Sequence, residues 1–371
     1  MSGGILDAWR SVSAHGATRQ PERTKSWVTL AYFPVLIALL AVAAVAGVSV
    51  GTVEISWAAI TTIVASKALP VGWVSLTGIS ETEQVIVWLI RVPRVVVAGL
   101  AGAALAIAGT QMQGLFRNPL AEPSIVGVSQ GAALGAVIAF ITNLTTMSML
   151  WLPLFAFVGA FVALFTVCLI ASRGGRTPVS TLLLSGVAMG ALISSISSLL
   201  ISLNFVNWQV AAEILFWMMG GLDSRTWTHI WISLPLVVLG TTVALWHTRD
   251  LDLMLLGEET SASLGVEVEK VKLVILTTAA LLTGAAVSVS GVIGFVGLVV
   301  PHVVRLILGP SHRRLLPASV VTGALFVISC DLLARTINPP TEIRLGVITA
   351  AFGAPFFLYL LRSRRKEIGY L

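Results

Sequence analysis

Ser129 stands in Gly127-Val-Ser-Gln-Gly131, the G-x-S-x-G spacing that exposes a nucleophilic hydroxyl where a strand turns sharply into a helix. Here the motif lies within an apolar helical run, so the turn that would activate the hydroxyl is missing. Gly291, Gly294 and Gly297 are spaced like a phosphate-cradling loop, but such a loop follows a strand, and these glycines are flanked by Val, Ile and Phe. None of the five lysines follows a glycine, which excludes the GxxxxGK[ST] nucleotide loop. The histidines at 15, 229, 247, 302 and 312 open no HExxH zinc motif, and Cys168 and Cys330 sit far apart in apolar segments, as small buried hydrophobes do. No catalytic residue, no cofactor and no metal site is expected, and any work done with ATP must come from a partner.

The elements that hold these residues are written in the composition. Of 371 residues 56% are hydrophobic and 11% charged, and the mean hydropathy is +0.94. That excludes an ordinary soluble enzyme and calls for a polytopic membrane protein, since each crossing of a ~30 Å hydrocarbon core needs about 20 apolar residues in a helix. The fold class expected is all-α, with ten transmembrane helices near 27–50, 94–115, 124–141, 151–172, 179–203, 227–247, 271–289, 293–308, 315–335 and 345–361. A cytoplasmic tail (1–26) precedes the transmembrane domain (27–361), and a basic cytoplasmic tail (362–371) follows it. The apolar stretch from Trp27 is too long for a signal-peptide core, so it reads as a retained first span. With both termini inside, 17 of the 23 lysines and arginines fall on the cytoplasmic side, as the positive-inside rule requires. The net charge of +6 is then topology, and nucleic acid is not an expected partner.

Two spans, 293–308 and 345–361, are short and broken by Gly or Pro, as segments lining a cavity are. Trp208 to Gly220 is apolar but too short to cross, so 204–226 reads as an outer re-entrant helix. Gly127, Gly131 and Gly135 recur at intervals that let helices pack backbone to backbone in lipid. Between the second and third spans, Pro119 and Pro123 bend the chain, and Pro123 suits the opening of a helix. The longest charged loop, 248–272, places Leu251, Met254 and Leu255 on one helical face beside acids, a pattern suited to a partner's groove. Glu258 and Glu259 argue against a helix that merely lies on anionic lipid.

The bend itself, Arg117-Asn-Pro-Leu-Ala-Glu-Pro123 followed by a glycine-rich helix, resembles the signature of the FecCD family, permeases of type II ATP-binding-cassette importers. Arg91-Val-Pro-Arg94, Phe216-Trp-Met-Met-Gly-Gly221, Gly294-Phe-Val-Gly-Leu-Val-Val-Pro-His302 with Arg305, His312-Arg-Arg-Leu-Leu-Pro317 and the 346–356 segment are similar to the family's other motifs, in the same order. The resemblance implies a homodimer with the path on its axis, two cytoplasmic ATPase subunits, an outside substrate-binding protein, and a place in the bacterial cytoplasmic membrane. It implies ATPase coupling through Leu253, Leu256, Gly257, Glu258, Glu259, Ala262, Leu264 and Gly265. It implies docking of acidic binding-protein residues on Arg91, Arg94 and Arg335, for which a guanidinium fork is suited, although Asp331 offers Arg335 an intrahelical partner as well. The inner gate would pair Asn118 and Leu120 with Val179 and Ser180, Val179 taking a place where the family often has a small polar residue. Met189, Met218, Met219 and Phe356 would line the path, where plain packing would account for them equally. Weakly polar walls without a ring of charge suit a bulky metal chelate better than a bare ion. The substrate expected is an iron complex, haem or a ferric siderophore, with a corrinoid next. An ion-coupled transporter is the rival from another class, for which Asp331 and Glu213 are the acidic candidates.

Overall fold

The computed structural model describes residues 26–70, 73–204 and 208–368, with side chains described among residues 31–360 and at 362; the expected tail 1–26 lies, except for Ser26, outside the described residues, as do 369–371 of the expected tail 362–371. Among the described residues the chain is helical, and the only pairing of extended backbone is one bridge between Arg173 and Arg176. The helices are α1 (Ser26–Ser49), α2 (Trp57–Ala68), α3 (Glu81–Leu115), α4 (Val128–Ile141), α5 (Trp151–Ala171), α6 (Val179–Leu203) and α7 (Trp208–Met218). After them come α8 (Trp227–Trp246), α9 (Thr248–Met254), α10 (Glu258–Ser263), α11 (Val268–Ser290), α12 (Val296–Leu308), α13 (His312–Thr336) and α14 (Leu345–Ile368).

Seven of these are long and apolar enough to cross a membrane: α1, α3, α5, α6, α8, α11 and α13. The other three expected crossings correspond to shorter apolar helices, Val128–Ile141, Val296–Leu308 and Leu345–Leu360. α3 begins earlier than the expected 94, because Ser80 and Glu83 close a capping box at Glu81 and the chain then passes through a π turn, Ile86–Arg91. α2 is not among the expected elements. Its 12 residues are too few to cross, and Ile60 and Ile63 pack on Val87 while Trp57 stays exposed, as an interfacial helix would have it.

Small residues set the packing at the centre. A Cβ on Gly131 or Gly159 would run into the other residue's carbonyl, so α4 and α5 cross with their backbones touching. α3 makes the same kind of crossing twice, Gly102 on Gly323 of α13 and Gly109 on Gly297 of α12. Where burial of apolar side chains adds little drive, this close approach is what fixes helix to helix. Gly127, grouped by spacing with Gly131 and Gly135, has φ +79° and precedes α4 as its cap.

α12 starts inside the bundle, and the end of α11 just ahead of it is joined by backbone to two other breaks. The Gly221 N–H donates to the Ser290 carbonyl (2.8 Å), and the Leu345 and Gly346 N–H groups donate to the carbonyls of Gly220 (3.1 Å) and Met219 (3.0 Å). Three broken helix ends thus hydrogen-bond one another, as backbone at membrane depth must.

Candidate functional site

Charge gathers at the two ends of α13, which 25 residues separate by about 37 Å at 1.5 Å per residue. At the C-terminal end Asp331 is 1% exposed. The Arg94 guanidinium donates to it through Nε (3.0 Å) and Nη2 (2.9 Å), and to Glu342 through Nη1 (2.9 Å) and Nη2 (2.7 Å). The Arg335 Nε lies 3.3 Å from the other Asp331 oxygen. Asp223 and Glu342 extend the network to the surface, and Arg344 pairs with Asp223 while its guanidinium stacks 4.4 Å from the Phe216 ring centroid.

Arg91 and Arg335 do a second job there. α1 ends without enough partners for its last carbonyls; Arg91 donates to the carbonyls of Val48 (3.1 Å) and Ser49 (2.8 Å) and of Val53 in the loop beyond, while Arg335 donates to those of Gly47 (2.8 Å) and of Val50 just past the helix (3.0 Å). Arg91 is 5% exposed as a result. The structure therefore places the three arginines expected to meet a partner side by side, each already engaged within the chain. The charged groups that reach the surface beside them are Asp223, Glu342 and Arg344, which spacing alone did not single out.

The environment separates the titration of these groups. Burial, together with its hydrogen bond to Asp223 and that group's negative charge, raises the Glu342 carboxyl above the usual range, against the pull of Arg94. Burial pulls Arg225 down to about 10, with Asp223 opposing and Arg94 adding to the fall.

At the N-terminal end of α13, Asp252 of α9 accepts from the His312 N–H (2.7 Å), from His312 Nδ1 (2.8 Å) and from the Ser311 hydroxyl (3.0 Å). Burial pushes this carboxyl up, but the His312 and Ser311 bonds outweigh it and hold Asp252 below the usual range. The α9–α10 unit is tied internally, the Ser261 hydroxyl bonding the carbonyls of Leu253 (2.8 Å) and Gly257 (2.6 Å). Gly257, at φ +106°, makes the bend between the two helices.

The expected apolar face of this loop points the other way. Leu251 and Met254 are buried against the bundle, because α9 packs on α3 and α13. The apolar groups left to a partner are Leu255, Leu256 and Leu264, with Glu259, Ala262 and Gly265 exposed around them and Leu253, Gly257 and Glu258 half-buried.

Of the expected gate residues, Asn118 is exposed and its Oδ1 accepts from the Leu120 N–H at 3.0 Å. This turn is what the left-handed Arg117 (φ 48°) and Pro119 allow. Val179 and Ser180 open α6 directly after Pro178. Met218 and Met219 line one recess of about 450 Å³ with Val292, Phe295, Val347 and Ala350. Met189 is not brought to it, lying in a separate groove with Ile170, Leu184 and Leu192. Phe356 packs edge-on against His302, 5.8 Å between centroids. Among the described residues no group of three or more His, Cys, Asp or Glu could hold a metal.

The profile of the FecCD transport family matches residues 39–363, every described helix from the middle of α1 to α14. The chain belongs to the FecCD transport family. It is 47% identical over 311 residues to the cobalamin import system permease protein BtuC of Halobacterium salinarum, covering 81% of this chain and 82% of that protein. It is 40% identical over 287 residues to the hemin transport system permease protein HmuU of Yersinia pestis, covering 76% and 84%. A solved structure described as an inward-facing metal-chelate type ABC transporter superposes with a TM-score of 0.76 at 28% identity, over 89% of this chain and 98% of that one. The sequence resemblance and the fold agree, and the chain is an ABC-importer permease.

Proposed function

We propose that two copies of this chain, each crossing the bacterial cytoplasmic membrane ten times with both termini inside, form the path of an importer for a metal chelate. Two ATPase subunits dock on the α9–α10 loop at the cytoplasmic face, and a substrate-binding protein docks at the opposite, arginine-rich end. The observation that carries this reading is the contrast between those ends. One presents exposed leucines on a rigid loop, suited to an apolar groove; the other clusters five arginines (91, 94, 225, 335 and 344) among the acids Glu54, Glu213, Asp223, Asp331 and Glu342, a charged surface whose guanidinium forks suit a partner's carboxylates. Arg91, Arg94 and Arg335 brace that surface from beneath, and Arg344 meets the partner. The gate formed by Asn118, Leu120, Val179 and Ser180 sits at the loop end, and the Met218–Met219 recess, with Met189 and Phe356 on flanking helices, lines the way to it.

The cargo we propose is an iron complex, haem or a ferric siderophore. A corrinoid is the second reading, favoured by the 47% identity to the cobalamin permease. The acids an ion-coupled mechanism would use do not support that rival, since Asp331 is held by two arginines and Glu213 is exposed on α7. Absorption spectra of the reconstituted complex with its binding protein, offered haem, a ferric hydroxamate or cyanocobalamin, test the cargo. The expected result is retention of one chromophore and its ATP-dependent release; transport by the lone chain without nucleotide would overturn the importer reading.

A further inference from the structure

Lys272 is the largest fully buried side chain in the described structure, 1% exposed, and an unpaired ammonium there would be severely destabilising. Its three N–H donors go to three different places: the Glu258 carboxylate at the start of α10 (2.7 Å), the Glu269 carboxylate on its own helix (3.0 Å), and the Thr177 carbonyl two residues before α6 (3.0 Å). Glu269 closes the ring, its second oxygen accepting from the Thr177 N–H at 2.9 Å. Thr177 is therefore gripped on both its backbone groups, by a lysine and an acid from α11.

The segment that Thr177 leads is short and stiff. Arg173 and Arg176 exchange two backbone hydrogen bonds (2.9 and 3.2 Å) around Gly174-Gly175, both at positive φ, a two-residue turn of the kind hairpins use. That turn stands in open space, a Cβ on either glycine meeting nothing within 4 Å. On the other side of Thr177, Pro178 leads directly into Val179 and Ser180 of α6. A displacement of Thr177 thus passes to the first turn of α6, with no slack chain to absorb it. The α9–α10 loop also meets the other gate segment, since a Cβ on Gly257 would lie 3.5 Å from Arg117 Nη1, next to Asn118.

We propose that Lys272 is the positioning residue that joins the ATPase-coupling helix to the gate, its ammonium carrying movement of α10 to the start of α6. The proposal rests on the reading of α9–α10 as the ATPase-docking loop. Because Glu258 is the one arm belonging to the loop, Lys272 holds α10, α11 and the α6 lead as one body. The Asp252–His312 clamp ties the other end of the loop to α13, so movement of the loop is a tilt about that clamp, with Lys272 on the moving side.

The test uses the permease–ATPase complex in nanodiscs, with Cys168→Ala and Cys330→Ala and a reporter Ser180→Cys. The measured quantity is the ratio of maleimide labelling rates at position 180 with vanadate-trapped ATP and without nucleotide. In the parent this ratio should depart from unity by about tenfold, the size of an ordinary coupling energy. Lys272→Met with Glu269→Gln, which removes one of the two carboxylates left facing the vacated site, should bring the ratio close to one while ATP hydrolysis stays within about twofold, and Lys272→Arg should restore it. A merely structural lysine would lower thermal stability in the double variant and leave the ratio alone; a parental ratio in that variant overturns the proposal. Should the double variant fail to assemble, Glu258→Gln weakens the loop arm and, read only on complexes isolated with the ATPase bound, must lower the ratio in the same way, or the proposal falls. A parent complex that binds no ATPase would instead overturn the importer reading itself.

Discussion

The two charged ends of α13 solve the same problem with opposite economies of exposure. At the Asp331 end the buried charges come from elements far apart in sequence, α3, α13 and the 336–345 turn, and the network runs out to the surface through Asp223, Glu342 and Arg344. At the His312 end Asp252 and Lys272 are satisfied chiefly by partners 14 to 95 residues away, and leucines are exposed beside them together with Arg117, Glu259, Arg313 and Arg314. On the proposed function, the first end would meet its partner through charge, and the second would add the apolar area of Leu255, Leu256 and Leu264 to its exposed charges.

The largest expected effect breaks the first end. Arg94→Ala leaves Asp331 buried with only Arg335 beside it, and removal of one member of a buried ion pair costs roughly 3–5 kcal/mol. Detergent-solubilised variant should lose most of its folded fraction on a thermal scan monitored by size-exclusion chromatography. Arg94→Ala with Asp331→Ala should recover much of it. No recovery would mean that Arg94 acts mainly through Glu342 at the surface.

At the second end the corresponding cut is milder. Asp252→Ala frees the α13 N-terminus from α9, but Asp252 is one-third exposed, so water replaces part of what is lost and the cost is about 1 kcal/mol. Hydrogen exchange should report it locally, as faster exchange at the first turn of α13 and unchanged protection in α3. Equal loss of protection in both helices would erase the distinction between a global and a local clamp.

How far the sequence foretold these ends follows from where each partner lies. The bend at Arg117–Pro123 and the close-packing glycines of α4 were legible because Pro, Gly and a four-residue period act locally. α13 and α11 were legible from apolar length. The role of Arg91 was not, since its acceptors are the carbonyls at the end of α1 and in the loop beyond, about 40 residues earlier. Lys272 counted only as one more cytoplasmic cation, because Thr177 is 95 residues away. The inward turn of Leu251 and Met254 escaped for a related reason: periodicity finds an apolar face, and only the bundle shows which neighbour takes it. α2 was missed because its apolar run is too short to register as a span and too polar in its flanks to register as a core helix.

Acid should separate the two ends without any mutation. Glu342 has its pKa raised by burial and by Asp223, so its protonation favours the folded protein: the stability it contributes is present below the ordinary value of about 4.3 and is lost as pH rises through the raised one. Asp252 is depressed, so its contribution is present above the ordinary value of about 3.9 and is lost only as pH falls through a lower one. Between those limits Glu342 takes up a proton while Asp252 does not. Infrared difference spectra should show a protonated-carboxyl band that grows in with acid, weaker in Glu342→Gln and unchanged in Asp252→Asn. Simultaneous titration of both would show that burial at the arginine end is shallower than its hydrogen bonds suggest.

The smallest effect on stability belongs to the most exposed loop residue. Leu256 is 59% exposed, so Leu256→Ala removes little buried area and should shift folding by no more than about 0.5 kcal/mol. If the loop end is an apolar docking surface, the same change should weaken capture of the ATPase by several-fold, and the loss should be insensitive to salt because no charge is involved. Arg344→Glu at the opposite end should do the reverse, slowing association of the binding protein with a loss that fades as ionic strength screens it. The pair of salt profiles is the sharpest form of the comparison. A salt-dependent loss at Leu256 would mean that Glu258 and Glu259, not the leucines, carry the contact, and the two ends would then share one mode of recognition.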